Sequence, residues 1–372
     1  METLRILWLN WRCIKHPLAG GAEIYTHEIA KRLAKLGHEI FLFTSQPRNL
    51  PEKELIDGYT ILRRGNSYSV YLQAAKTYKE KFKGKIDIII DEINTIPFMT
   101  PLYVKEPIIT LIHQLCRECW FYSTPLPVAV TGYLIEPILH KPYIKSNNIK
   151  AVITVSKSTK QDLINIGYPT HKIHIVPNGL NSDQYKPGKK TPYPQICYIG
   201  RITPYKKLED LIKVARILQK EFRSLVLVIA GRAEPKYLKK LLKMVERRGA
   251  NVKFKINISH DQKIKILKES WIFVYSSVRE GFGQTVIEAN ACGTPVVAYA
   301  IPGLRDSIKH MKTGILVPPD KVEMLTKTLT QILANSKLRK QLALNALKWA
   351  KDFNWDKSAE EFERILKALK DE

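Results

Sequence analysis

The chain has 372 residues, 45% hydrophobic and 26% charged, which is too long for one ordinary core and suits two domains of similar size. Its net charge of +25 calls for an anionic partner, with nucleic acid, anionic lipid and sugar nucleotides all qualifying. No apolar run approaches bilayer length and no basic region leads into a long apolar stretch at the N-terminus, so a cytoplasmic protein without signal peptide is expected.

Short apolar strands alternate with amphipathic helices along most of the chain. The first strand is expected within Met1–Asn10, at Leu4–Leu9. Others follow at Glu39–Thr44, Tyr59–Leu62, Asp87–Asp91, Pro107–Ile112, Ala151–Val155 and His174–Val176. Their Ile, Val, Leu and Phe content is that of strands buried on both faces. A helix at Ala22–Leu36 places Ile29, Leu33 and Leu36 on one face and stops at Gly37. The polar segment Asn181–Pro194, with four prolines and glycines among its charges, reads as the boundary between domains.

Beyond it the rhythm restarts, with strands at Ile196–Ile199, Leu225–Ala230, Val252–Lys255, Ile272–Tyr275, Pro295–Ala298 and Ile315–Val317. Helices at Leu208–Lys220 and Tyr237–Arg248 lie between them, and Lys351–Lys370 closes the chain as a charged amphipathic helix. Two runs of βα units imply an α/β protein of two Rossmann-like, doubly wound domains. The expected division is 1–185, 186–350 and a final helix, 351–372. Ligands of such sheets bind beyond the carboxyl ends of the strands, so the chemistry is sought in the loops there.

Gly20-Gly21-Ala22-Glu23 follows the first strand and opens a helix. Its free amides suit a phosphate or sugar oxygen, and a permissive turn explains it equally well. Cys116 and Cys119 have C-x-x-C spacing but no second pair, and with Cys13, Cys197 and Cys292 they make an odd, scattered set. Free thiols explain them better than zinc or a disulfide framework. His113 ends the strand Pro107–Ile112, where it serves a sugar hydroxyl or the fold. In the second half Gly200-Arg201 and Lys206 follow a strand directly. A planar guanidinium and a point-charge ammonium from different directions suit a diphosphate.

The most informative segment is Arg279-Glu280-Gly281-Phe282-Gly283-Gln284-Thr285-Val286-Ile287-Glu288, between a strand and the helix Gln284–Ala291. The Gly-Phe-Gly turn offers successive amides at a helix start. Carboxylates flank it on both sides, which fits a ligand with hydroxyls at both ends and phosphate in the middle.

Glu280-x7-Glu288 within Glu-Gly-Phe-Gly, with Gly200-Arg201 and Lys206 upstream, resembles the family 4 glycosyltransferases. Gly20-Gly21-Ala22-Glu23, Pro177-Asn178-Gly179 and Ile229-Ala230-Gly231 agree, so the resemblance covers nearly the whole chain. It implies the GT-B fold, two Rossmann-like domains facing across a cleft, with the last helix crossing back to the first. It also implies retaining, metal-independent hexosyl transfer from a UDP-, GDP- or ADP-sugar, with no further cofactor.

In that pattern Arg201 and Lys206 hold the donor diphosphate, Glu288 the ribose hydroxyls and Glu280 the donor sugar. The amides of Gly281, Phe282, Gly283 and Gln284 reach sugar and phosphate. Gly21, Gly200 and Gly231 lie close to the donor, and His113 faces the reacting sugar. Three positions depart from the pattern: Gln114 after His113, Asn181 where Asp is frequent, and Ile256-Asn257 where Gly is frequent.

The implied acceptor is a lipid-linked or polysaccharide precursor. Arg63, Arg64, Lys76, Lys79, Lys81, Lys83 and Lys85, interleaved with Tyr78 and Phe82, form a cluster for an anionic membrane surface or a solvated charged helix. Attachment to the inner membrane face is expected on the first reading. Trp120, Phe121 and Tyr122 read as an acceptor platform or as core. A nucleic-acid binder is the rival that charge alone allows, but no nucleic-acid motif supports it and nucleic acid is not an expected partner. A nicotinamide dehydrogenase lacks its G-x-G-x-x-G fingerprint here. Phosphorylase or epimerase chemistry on the same fold stays open.

Overall fold

The computed structural model describes residues 3–369. Met1 at the start of the expected first strand segment and Lys370 at the end of the expected last helix lie outside the described residues. The chain divides into two compact units. The first holds the chain up to Arg117, Thr131–Gly179 and the chain from Trp355 onward; the second holds Glu118–Val130 and Leu180–Asn354. Residues 118–130, which the sequence division places with the first domain, therefore cluster with the second unit.

The first unit is built on an eight-stranded sheet: β1 (Arg5–Leu9), β2 (Glu39–Thr44), β3 (Lys53–Ile56), β4 (Tyr59–Arg63), β5 (Ile88–Ile93), β6 (Ile108–Ile112), β7 (Ile149–Thr154) and β8 (Ile173–Ile175). Their order is β3-β4-β2-β1-β5-β6-β7-β8. All neighbours are parallel except β3, which runs antiparallel to β4 and is absent from the sequence reading. Lys-Glu-Leu-Ile is short and half polar, as an edge strand is. Its signal is the Asp57-Gly58 turn, where both residues have positive φ, 45° and 91°, as a tight hairpin requires.

Burial of aromatic surface ties the last helix, Trp355–Ala368, into this unit. Fully buried Trp8 of β1 stacks on Phe362 at 5.4 Å, and Tyr25 of the Gly21–Lys35 helix meets Trp355 edge-on at 5.8 Å. Burying rings of this size contributes roughly 2–3 kcal/mol each. The helix starts at Trp355, four residues later than expected, because Lys351 and Asp352 form a turn.

The second unit has six parallel strands: β9 (Gln195–Ile199), β10 (Val226–Gly231), β11 (Val252–Ile256), β12 (Ile272–Tyr275), β13 (Val296–Tyr299) and β14 (Gly314–Val317). The order β11-β10-β9-β12-β13-β14 reverses between β9 and β12. That reversal is where an open α/β sheet leaves a ligand crevice, and the two segments with the most suggestive chemistry follow these two strands.

The basic cluster of the first unit is smaller than expected. Arg63 is buried and donates to Glu54 (2.6 Å) and to the Pro51 carbonyl (2.8 Å). Tyr78 and Phe82 belong to the core. Arg64, Lys76, Lys79, Lys81, Lys83 and Lys85 remain exposed. Phe121 and Tyr122 are exposed and Trp120 is half-buried, so this trio is not core.

Candidate active site

In the second unit, β9 ends in Gly200 and the chain turns through Pro204–Lys206. Ser276, just after β12, anchors that turn by donating to the Lys206 carbonyl (2.8 Å). Lys206 is only 4% exposed, and a buried ammonium needs partners. It has three. Its Nζ donates to Glu280 Oε1 and to the Tyr275 hydroxyl (3.1 Å), and lies 4.6 Å from the centre of the Tyr205 ring. Arg201 is exposed, and its guanidinium donates to the Tyr205 hydroxyl (2.6 Å). Burial, and then the Glu280 charge, push the Tyr275 and Tyr198 hydroxyls upward in pKa.

Gly200 and Gly231 are backbone devices. Gly231 ends β10 with φ +136°, and a Cβ there would stand 1.9 Å from the Gly200 carbonyl oxygen. The next strand end is tied to the same point, since the Asn257 amide donates to the Gly231 carbonyl (3.0 Å). Asn257 has φ +55°, a conformation asparagine accepts more readily than most residues, so its departure from Gly preserves the turn.

Gly281–Gln284 leads into the helix Gln284–Ala291, whose N-cap is Gly283 at φ +83°. Gly303 lies so close that a Cβ on it would come within 2.2 Å of the Glu280 carbonyl oxygen, which holds the loop in place. The Phe282 ring is buried against Phe353 at 5.3 Å, so only its backbone faces the loop's interior. Glu288 is buried in the second turn of the helix. It accepts from the Tyr185 hydroxyl (3.0 Å) and pairs with Lys263 (2.5 Å). Burial, reinforced by Glu288, raises the Tyr185 pKa.

The 118–130 segment closes one side of this arrangement. Arg279 Nε donates to Glu118 (2.7 Å), and the short helix Trp120–Ser123 packs on the Pro204–Lys206 turn. Burial pushes the Cys119 thiol up to about 12, with the Glu280 charge acting the same way, so it remains protonated at neutral pH. All five cysteines are free thiols. Among the described residues no group of three potential metal-ligating His, Cys, Asp or Glu side chains is gathered.

In the first unit, His113 follows β6. Its Nε2 lies 3.1 Å from Oε1 of Glu92, and its ring meets Tyr25 edge-on at 5.1 Å. Glu92, on the adjacent β5, is fully buried and accepts from Trp8 Nε1 (2.8 Å) and Thr26 Oγ1 (2.5 Å) as well. A carboxylate accepts, so this hydrogen bond selects the His113 tautomer protonated on Nε2 and leaves Nδ1 as the acceptor. Gly21 begins the first long helix. Glu23 turns back to accept from the Gly20 amide (2.6 Å) and from Arg12 Nε (2.8 Å), which takes one amide of the glycine loop out of ligand binding.

Residues 181–349 match the family model for glycosyl transferases group 1, and residues 19–184 match the model for glycosyltransferase family 4. The chain belongs to the family 4 glycosyltransferases. An uncharacterized glycosyltransferase of Methanocaldococcus jannaschii is 28% identical over 98% of both chains. The D-inositol 3-phosphate glycosyltransferase of Jonesia denitrificans is 23% identical, covering 92% of this chain and 89% of its own. Among solved structures, sucrose-phosphate synthase from Thermosynechococcus elongatus superposes with a TM-score of 0.84 at 20% identity, over 98% of this chain and 99% of that one. HepE from Anabaena, in complex with UDP and glucose, gives 0.75 at 18% identity over 98% and 99%. The fold is GT-B.

For this glycosyltransferase the structure brings Lys206 directly to Glu280 and stacks Arg201 on Tyr205, the neighbour of Lys206. It places Glu288 in a separate cluster with Tyr185 and Lys263. Sequence reasoning misses Glu92, Tyr185, Lys263, Tyr275 and Glu118. Glu92 had a readable signal, because Asp91-Glu92 interrupts an otherwise apolar strand and buried carboxylates need a purpose. The others lie in no motif and are recruited by the tertiary fold.

Proposed function

We propose that this glycosyltransferase moves a hexose, with retention and without a metal, from a nucleotide-diphosphate sugar to the hydroxyl of a lipid-linked or surface-glycan precursor. The observation that carries the reading is the buried Lys206, held by Glu280 beside the exposed Arg201. A diphosphate can take over the Lys206 ammonium from Glu280, freeing that carboxylate for a sugar hydroxyl. Arg201 and Lys206 then balance the charge that grows on the leaving group, the task a divalent ion would otherwise perform. Solved GT-B structures of HepE hold UDP and UDP-glucose, which supports a nucleotide-sugar donor.

Glu288, oriented by Tyr185 and Lys263, binds the ribose hydroxyls. The Gly281–Gln284 amides reach phosphate and sugar, and His113 offers Nδ1 to a sugar hydroxyl. The C1–O bond to phosphate breaks as the acceptor oxygen bonds to C1 from the same face. The acceptor's proton passes to the departing phosphate oxygen. The enzyme works in the cytoplasm, against the inner face of the membrane.

The test is thermal shift against UDP-, GDP- and ADP-sugars, with NAD as control, followed by turnover of the stabilising donor. One sugar nucleotide raising Tm, and an α-linked donor giving an α-linked product by NMR with EDTA present, is the expected result. No shift with any sugar nucleotide refutes the donor reading. An inverted product or loss of turnover in EDTA refutes the mechanism.

A further inference from the structure

Two charged helices of this protein pair their charges internally. In Trp355–Ala368, Arg364 meets Glu361 (2.5 Å) and Lys367 meets Glu363 (2.6 Å), and in Leu208–Leu218 Lys213 meets Asp210 (3.0 Å). The helix Pro235–Arg248 of the second unit is built differently. It carries six exposed cations, Lys236, Lys239, Lys240, Lys243, Arg247 and Arg248, against one acid, Glu246. Among the described residues only Lys240 of the six has a carboxylate partner, Glu209 at 2.7 Å. Lys236 and Lys240, Lys239 and Lys243, and Lys243 and Arg247 are like-charge neighbours one turn apart, which destabilises a helix. Lys236 also sits in the first turn, where the helix dipole disfavours a cation. The fold gains nothing from this arrangement, whereas an anion laid along the helix relieves all of it.

The six cations and Met244 line an open groove of about 640 Å³. Arg248 also lines a second groove, of about 600 Å³, with Lys213, Arg216 and Lys220 and a single carboxylate, Glu323. The row from Lys236 to Arg247 runs about 16 Å along the helix axis. It starts just after β10 ends at Gly231, beside Gly200, on the edge of the sheet where a ligand binds. We propose that this basic track holds an acidic polysaccharide, the growing glycan whose end is the acceptor. Cations strung out along a helix fit an extended polyanion rather than a compact one. A bilayer contact needs an apolar face, and the only large apolar side chain that the helix exposes among the described residues is Leu242. Single-stranded nucleic acid is held by stacking its bases on aromatic rings, and the one ring of this helix, Tyr237, is buried. A polymer held along the track raises the effective concentration of its reacting end.

This inference rests on the surface-glycan part of the proposed function and gives that glycan its charge. The experiment measures the affinity of the full chain, at low and at physiological salt, for four probes: polygalacturonate, neutral dextran, duplex DNA and phosphatidylglycerol vesicles. The track variant is Lys236→Glu/Lys239→Glu/Lys243→Glu. The control is Lys79→Glu/Lys81→Glu/Lys83→Glu, which changes the net charge equally through exposed lysines of the first unit.

Wild type is expected to bind polygalacturonate and not dextran, more weakly as salt rises. The track variant is expected to lose about tenfold or more in that affinity and the control to stay within about twofold of wild type. A thermal melt checks folding, and the track variant should melt no lower than wild type, since its like-charge pairs are gone. Undiminished binding by the track variant overturns the proposal, as does an equal loss in both variants, which would make net charge the cause. So does a wild type that does not bind polygalacturonate, or one that binds duplex DNA or the vesicles more tightly through the same three lysines. Donor-induced thermal shift, measured without polymer, reports the transferase reading separately.

Discussion

Glu92 in the first unit and Glu280 and Glu288 in the second are held in opposite ways. In the first, Glu92 accepts from the uncharged donors Trp8 and Thr26 and lies 3.1 Å from His113 Nε2, on neighbouring elements of one sheet and helix. In the second, Glu280 and Glu288 each face a lysine, Lys206 and Lys263. A carboxylate fixed by neutral donors sets orientation and has little reason to change partners. A carboxylate paired with lysine stores a cation that an arriving anion can claim. The first arrangement suits positioning, the second charge exchange.

The contrast breaks most visibly at Lys206. Lys206→Ala is expected to lower kcat/KM by about 10²–10³ and to abolish donor-induced stabilisation, as removal of one group aimed at developing charge does elsewhere. Unchanged turnover at saturating donor would remove Lys206 from the mechanism.

A second difference is in titration. His140 in the first unit has its pKa pulled by burial from 6.5 to about 4. Between those values the unfolded chain binds a proton the fold refuses, so stability is lost as pH falls from 6.5 and the loss levels off near 4. The total is roughly 3 kcal/mol. Lys190 in the second unit has its pKa pulled by burial from 10.5 to about 8, so it adds stability as pH rises across that window. His140→Phe should flatten the acid limb of a Tm–pH curve and leave the alkaline limb as it was.

Glu92→Gln should reduce kcat by about tenfold, since the amide can accept from His113 but holds its ring less firmly than a carboxylate does. In a His113→Ala background the same change should have little further effect on turnover. Equal losses in both backgrounds would make Glu92 a purely structural residue. The smallest change is expected at Glu288→Gln. It keeps the contact with Tyr185 and weakens the pairing with Lys263, so the KM for donor rises several-fold while kcat moves less.

How much of this was legible follows from where each residue's information lies. Ile-, Val- and Leu-rich strands declare themselves because burial on both faces demands a continuous apolar run, and the helix Gln284–Ala291 is bounded by its own glycines. The edge strand Lys53–Ile56 is too short and too polar to show, though its Asp57-Gly58 turn was there to be read. Gly200, Arg201, Lys206, Glu280 and Glu288 stand in local motifs. Tyr275 and Tyr185 reach them only through tertiary folding, from 69 and 103 residues away. The hydroxyl partners of a site leave no spacing in the chain. Nor did charge reveal Arg63 as buried, since its carboxylate, Glu54, is on the strand the sequence hid.

The Gly200–Gly231 contact has a consequence for anyone reshaping donor preference by library selection. With the Gly200 carbonyl where a Cβ on residue 231 would have to go, substitutions at Gly231 would populate a library with misfolded clones rather than altered specificities. Asn257, hydrogen-bonded to the same carbonyl group of Gly231 through its backbone amide alone, leaves its side chain to vary within the limits of a left-handed turn. Diversity belongs at Asn257, with Gly200 and Gly231 held constant.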